Sequence, residues 1–380
     1  MAEERILLKA SILYLIFYTC RFNFFSIMPI VAKDLKLTYE SLAFISSTLF
    51  IGYALTLIPS GFLADKYGPS IILLSGSIIS SLANILIAIT GDEFLLRGLM
   101  FINGLGQGMG WAPLVKLISL KIDKSRVGLA IGILMSSAMI GPSIAYIVAS
   151  FIASFLNWRF SLIIPAIIFL MYSFTFRKIK ASIHSSKLRI EVVKDLNLWL
   201  IGLSYFFFYA VYRGFLVWMP TFAYEKLGLH FLTASLYSSG LSAIGAIIGY
   251  AGYYISLKFF NGEMKRVIAY SMLSAIPPCI ILAYTGGNAL IWLTLLYSIL
   301  SLPLWLFFIY PPKIFPANAV GTATGVIDTL GYIGNFAGTL ILGILYNSSE
   351  SGREIFPSII LALLAGALTS LFIKEQGTKA

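Results

Sequence analysis

Twelve stretches of about twenty mostly apolar residues, separated by short polar turns, run the length of this chain and leave it little choice of fold. They fall at approximately 10–31, 41–63, 70–90, 94–118, 127–154, 158–176, 196–223, 231–257, 264–285, 289–312, 320–346 and 355–373. A helix rises ~1.5 Å per residue, so about 20 residues cross a hydrocarbon layer ~30 Å thick. In lipid every backbone N–H and C=O must be bonded internally, and a helix does this within one segment. The spacing therefore predicts an all-α integral membrane protein with twelve transmembrane helices. Of the 380 residues 59% are hydrophobic and only 11% are charged, against about 25% charged in soluble domains. The first span is too long for a signal peptide and no small-residue cleavage site follows it, so it counts as a helix.

Loop charges orient the spans. Both termini and the loops after the even-numbered spans carry most of the basic residues, among them Arg5, Lys66, Arg126, Arg177, Lys258 and Lys313. The opposite side carries only Lys33, Lys36, Arg97, Arg159, Lys226 and Arg353. Excess Lys and Arg mark cytoplasmic loops, which puts both termini in the cytoplasm of a plasma (inner) membrane. The net charge of +11 does not indicate nucleic-acid binding, because the basic residues sit in short loops and form no continuous patch. Cys20 and Cys279 both fall in apolar runs, which argues against a disulfide framework or a cysteine metal site. No His/Cys/carboxylate cluster has metal-ligand spacing, and no nucleophile stands with a base. The expectation is a protein that is not an enzyme and uses no cofactor or metal.

The two halves repeat at an offset of 192 residues. Arg21 falls on Arg213, Leu35 and Leu37 on Leu227 and Leu229, Ser46 and Ser47 on Ser238 and Ser239, and Lys66 on Lys258. Each arginine is followed by Met-Pro, at Met28-Pro29 and Met219-Pro220. Further on, Gly128, Gly132 and Gly141 fall on Gly321, Gly325 and Gly334 at an offset of 193. The expected organisation is a six-helix bundle over residues 1–176, a basic cytoplasmic linker over 177–195 and a second six-helix bundle over 196–380. Parallel repeats of this kind place a substrate site near the midplane, between the halves. The repeated glycines, and Gly104, Gly106, Gly108 and Gly110 in span 4, suit close helix packing.

Three formal charges lie deep within spans: Arg21, Arg213 and Asp328. A charge at the bilayer centre costs about 2.5–3.5 kcal/mol on insertion scales, so such residues face a cavity or a partner. They could form a buried ion pair that only holds helices together. The repeat, however, sets the arginines on opposite walls of one cavity, and guanidinium forks bind phosphate or carboxylate bidentately. Tyr14 and Tyr18 share a helical face with Arg21, and Tyr209 shares one with Arg213; Asn23 lies further round the first helix. Their hydroxyls or amides could serve a ligand, and packing would explain each equally. Asp328 could be a proton site, a partner of an arginine or a helix-packing hydrogen bonder.

Gly61-Phe62-Leu63-Ala64-Asp65-Lys66-Tyr67-Gly68 resembles the G-x-L-a-D-r-x-G loop signature of the major facilitator superfamily. In this loop Gly68 suits a tight turn and Asp65 a helix start, and Arg126 after span 4 is placed to pair with that region. Gly61, Asp65, Lys66, Gly68 and Arg126 are thus the expected gating residues. Tyr18-Thr19-Cys20-Arg21-Phe22-Asn23, Gly106-Gln107-Gly108-Met109-Gly110-Trp111-Ala112-Pro113, Arg213-Gly214 with Trp218-Met219-Pro220-Thr221, and Gly321-Thr322-Ala323-Thr324-Gly325 are similar to motifs of the organophosphate:phosphate antiporter branch. The resemblance implies substrate phosphate on Arg21 and Arg213, a binding role for Gln107, and exchange by rocking of the two halves. The sequence departs from the glycerol-phosphate antiporters, which carry a lysine where Leu57 stands, a histidine at Ala138 and an acid at Val217. A carboxylate substrate with proton coupling through Asp328 therefore stays open beside phosphate exchange. Two other readings are a neutral or cationic substrate with structural arginines, and a transporter-like metabolite sensor. The expected partners are the lipid bilayer, a small anion and phosphate or a proton as coupling ion, with the chain working as a monomer.

Overall fold

The computed structural model describes residues 2–123, 125–177, 179, 190–284, 288–316, 319–348 and 351–375, and these are helical with no strand. The helices are α1 (Ala2–Leu35), α2 (Tyr39–Tyr67), α3 (Pro69–Ile89), α4 (Glu93–Gly108), α5 (Trp111–Lys121), α6 (Val127–Phe155), α7 (Phe160–Ser173), α8 (Leu196–Glu225), α9 (Phe231–Phe259), α10 (Met264–Ser274), α11 (Ile276–Tyr284), α12 (Ala289–Ser301), α13 (Leu306–Ile314), α14 (Val320–Asn347) and α15 (Ile355–Leu371). Taking α4 with α5, α10 with α11, and α12 with α13 as single crossings gives the twelve expected spans. Most of the expected linker 177–195 lies outside the described residues.

The helix ends and breaks have local causes. Thr38 accepts the Ser41 N–H at 3.1 Å to cap α2, and Asp92 accepts the Leu95 N–H at 2.7 Å to cap α4. Between α2 and α3 the chain turns at Gly68, whose φ of +92° strains any residue with a Cβ, and Pro69 then opens α3. Span 4 tightens where Met109 N–H bonds to the Gly106 carbonyl and Gly110 N–H to that of Gln107, both at 3.2 Å. Pro277 and Pro278 open α11, and Pro303 separates α12 from α13, since proline has no N–H to continue a helical ladder.

The chain forms two compact units, residues 1–187 with 219–242, and residues 188–218 with 243–380. In the first unit α1 packs on α6 and α7, α2 on α4, and α3 on α4 and α7. The α2–α4 and α3–α4 crossings are close because glycines face backbone: Gly104 against the Leu49 carbonyl, Gly52 against that of Phe101, and Gly76 and Gly106 against each other's carbonyls. Ends of α8 and α9 belong to this unit. There Ser143 donates to the Ser239 carbonyl at 3.0 Å, Ser239 donates back to the Ser143 carbonyl at 3.1 Å, and Ser26 donates to the Ser235 hydroxyl at 3.2 Å.

In the second unit α8 meets α14 through Gly334 under the Phe206 carbonyl and Gly338 under the Ala210 carbonyl. Glu375 accepts the Met264 and Lys265 N–H groups at 3.0 and 2.6 Å and the Tyr310 hydroxyl at 2.6 Å, which caps α10. The packing expected of the repeated glycines holds for Gly141, which lies on Tyr18, and for Gly334. It fails for Gly128, Gly132 and Gly321, which stand in open space at the starts of α6 and α14, where no described neighbour approaches.

Candidate anion-binding residues

Arg21 sits in the middle of α1 with 1% of its surface exposed. Its guanidinium carbon lies 4.3 Å from the Tyr18 ring centroid and 4.4 Å from that of Tyr53, which reaches in from α2. Both distances are within the range in which the ring quadrupole attracts a cation. Nε donates to Gln107 Oε1 at 3.0 Å, and Gln107 Nε2 donates to the Ser80 hydroxyl at 2.8 Å. Tyr14 meets Tyr18 edge-on at 5.2 Å and stacks on Trp111 at 5.5 Å. The structure thus brings Arg21, Tyr14, Tyr18 and Gln107 together. Aromatic contacts from α1 and α2 and the Nε bond to Gln107 of α4 together set the plane of the Arg21 guanidinium.

Asn23 is placed differently from the expectation. Its amide donates to Asn84 Oδ1 at 3.2 Å and to the Ser161 carbonyl at 3.3 Å, while its own Oδ1 accepts the Phe24 N–H at 2.8 Å. Those neighbours come from α3 and α7, because Asn23 lies round the helix from Arg21 on the face that packs against them. Its amide joins α1 to α3 and α7. Gln107 likewise gives its carbonyl to Arg21 and one amide N–H to the Ser80 hydroxyl. Tyr53, Ser80, Asn84 and Asn103 escaped the sequence reading.

In the second unit Arg213 is 4% exposed on α8, and its Nε donates to the Tyr209 hydroxyl at 3.3 Å. Its guanidinium carbon lies 5.5 and 5.6 Å from the Tyr209 and Tyr212 ring centroids. Tyr209 packs on Tyr205 at 4.5 Å and edge-on to Tyr332 of α14 at 5.6 Å. Asp328, one helical turn before Tyr332, is 6% exposed and lies within electrostatic reach of Tyr205, as does Arg213. Among the described residues, Arg21, Arg213 and Asp328 are the only buried residues carrying a formal charge.

The loop after α2 corrects two expectations. Asp65 does not cap a helix start, because α2 continues through it to Tyr67; its carboxylate pairs with Lys116 of α5. Ala112 packs 3.7 Å over the Cβ direction of Gly61, which sets Lys116, one turn further along α5, over the end of α2. Arg126 lies past the end of α5 and pairs with Glu3 at 3.7 Å instead. Lys66 approaches the Tyr67 ring at 5.1 Å. In the loop before Arg126, the Ser125 hydroxyl and N–H hold the Asp123 carboxyl below its ordinary range.

The profile described as Major Facilitator Superfamily matches residues 10–339. A glycerol-3-phosphate transporter of Bacillus subtilis is 27% identical, over 93% of this chain and 89% of that protein. A probable sulfoacetate transporter of Cupriavidus necator is 24% identical, over 95% of this chain and 91% of that protein. Among solved structures, a D-xylose–proton symporter superposes with a TM-score of 0.80 at 16% identity, over 100% of this chain and 99% of that one.

Proposed function

Because the chain belongs to the Major Facilitator Superfamily, we propose that this multi-pass transporter carries an organic anion, a phosphate ester or inorganic phosphate, that engages Arg21 and Arg213. The observation that carries this reading is Arg21: a permanent cation in the middle of a membrane span, held in one plane by Tyr18, Tyr53 and Gln107. A cation there is costly, and such residues mark substrate or ion pathways. The sequence repeat gives Arg213 the equivalent place in the second half. Glycerol 3-phosphate and sulfoacetate, named for two relatives, share a tetrahedral oxyanion, a group that a guanidinium fork binds bidentately. The halves 1–176 and 196–380 rock about the anion, which biases the two end states because it contacts them differently. The positive-inside pattern supports cytoplasmic termini in a plasma membrane, and one copy suffices.

Asp328 supports a second reading, uptake of a carboxylate with a proton, because a buried acid beside Tyr205 and in the same unit as Arg213 is an intramembrane titratable group. Proteoliposomes loaded with phosphate and given labelled phosphate outside separate the two. Saturable exchange weakened in Arg21→Lys and Arg213→Lys supports phosphate exchange. If the folded wild type shows no exchange, and a proton gradient drives carboxylate uptake that Asp328→Asn abolishes, the second reading stands instead.

A further inference from the structure

We propose that Ser80 and Asn103 are positioning residues for Arg21, acting through Gln107 to fix the plane in which its guanidinium meets an oxyanion. The inference rests on the reading of Arg21 as an anion-binding residue. The Ser80 hydroxyl donates to Asn103 Oδ1 at 2.6 Å, and Asn103 Nδ2 donates to the Cys20 carbonyl at 3.4 Å. With the Arg21–Gln107 and Gln107–Ser80 bonds these close a circuit that leaves α1 at the Arg21 side chain and returns to the adjacent residue. Asn84 braces it, donating to the Cys20 carbonyl at 3.2 Å and to the Ser80 carbonyl at 3.0 Å. Ser80, Asn84, Asn103 and Gln107 are all buried.

The circuit runs in one direction only. Its last member, the Cys20 carbonyl, can only accept, so Asn103 turns its NH2 toward α1 and its oxygen toward Ser80. The Ser80 proton then goes to that oxygen, and the Ser80 oxygen is left to accept from Gln107 NH2. Gln107 must therefore offer its carbonyl to Arg21, which can only donate. Without the Ser80 hydroxyl the Gln107 amide is no longer obliged to face Arg21 oxygen-first, and a flipped amide would set donor against donor. Circuits of this kind act as units, which is why coupling between members is the measurement that identifies them.

The test is phosphate exchange in proteoliposomes with inorganic phosphate as probe, in wild type, Ser80→Ala, Arg21→Lys and the double variant. Losing one net hydrogen bond's worth of orientation corresponds to about a tenfold rise in phosphate KM for Ser80→Ala, with maximal exchange little changed. In the Arg21→Lys background Ser80→Ala adds nothing, because the group it positions is gone; a merely structural defect would act in both backgrounds. Ser80→Thr, which keeps the hydroxyl, stays within about threefold of wild type. If Ser80→Ala does not fold, Asn103→Leu breaks the next link at similar volume and carries the same expectation. An unchanged KM in the folded broken-circuit variant, with Arg21→Lys still defective, overturns the inference. A harmless Arg21→Lys overturns the anion reading beneath it.

Discussion

Arg21→Lys keeps the charge and removes everything else the structure provides at that position. The Nε bond to Gln107 at 3.0 Å has no counterpart on an ammonium, and the planar contacts with Tyr18 and Tyr53 at 4.3 and 4.4 Å become those of a compact, mobile head group. A hydrogen bond to a charged group contributes about 1.5–3 kcal/mol. Loss of one arm of a bidentate contact, together with the Gln107 brace, then weakens anion binding by roughly 2–3 kcal/mol. At ~1.4 kcal/mol per tenfold that is roughly a 30- to 150-fold rise in the phosphate concentration needed for half-maximal exchange.

The matched control is Arg126→Lys. Arg126 is 55% exposed, and its partner Glu3 stands 3.7 Å away; exposed pairs contribute about 0–1 kcal/mol. The assay is uptake of labelled phosphate into phosphate-loaded proteoliposomes, with both variants reconstituted to equal density and checked for monodispersity. An Arg21→Lys protein that exchanges phosphate within a few-fold of Arg126→Lys would refute the argument from guanidinium geometry.

Arg213→Lys should lose less than Arg21→Lys in the same assay, since its Nε bond is the longer one at 3.3 Å and its rings stand 5.5 and 5.6 Å away; equal losses would show that the surroundings do not matter. Cysteines at Ser143 and Ser239, which bond each other's carbonyls, should cross-link under mild oxidant, stop exchange, and release it on reduction; transport that continues while they are linked would show that this contact never opens. Gly104→Ala places a Cβ against the Leu49 carbonyl and should destabilise by about 1–3 kcal/mol, read as a lower melting temperature in detergent, whereas Gly98→Ala, with open space beside it, should leave the melting temperature unchanged.

The spans were legible because apolar length alone sets them: the stretch expected over 127–154 is the helix Val127–Phe155, and that over 231–257 is Phe231–Phe259. Charge burial likewise marked Arg21, Arg213 and Asp328, since few reasons keep a charge inside a membrane. What surrounds them was not legible. Tyr53, Ser80 and Asn103 reach Arg21 only through the packing of α2, α3 and α4, and a tyrosine or serine in an apolar run carries no signal of its own. Asn84 and Asn103 did carry one: an uncharged amide in the middle of a span also needs a partner in lipid, and applying the charge argument to amides would have found both. Lys116 was overlooked because it lies so near the end of an apolar run that it reads as part of the span, whereas Asp65 shows that it belongs to the loop face.

Duplication made the two arginines equivalent in sequence, and the structure surrounds them unequally. The repeat carries Tyr53, which lies against Arg21, onto Gly245. A Cβ at Gly245 would stand 2.7 Å from the Ser301 hydroxyl, 2.8 Å from the Tyr297 ring and 3.0 Å from the Tyr212 hydroxyl, so the glycine is what lets those groups occupy the space. Arg213 is accordingly bordered by tyrosines from its own helix, and the Nε acceptor is a hydroxyl that can rotate. Arg21 is bordered by rings from two helices and by an amide whose orientation is fixed from behind. A carrier must bind its substrate in both end states and gain differently in each, or binding would shift nothing. On the proposed anion reading, one arginine locked in its plane and one with adjustable partners would meet that requirement, the locked group selecting the anion and the adjustable group changing its contacts between end states.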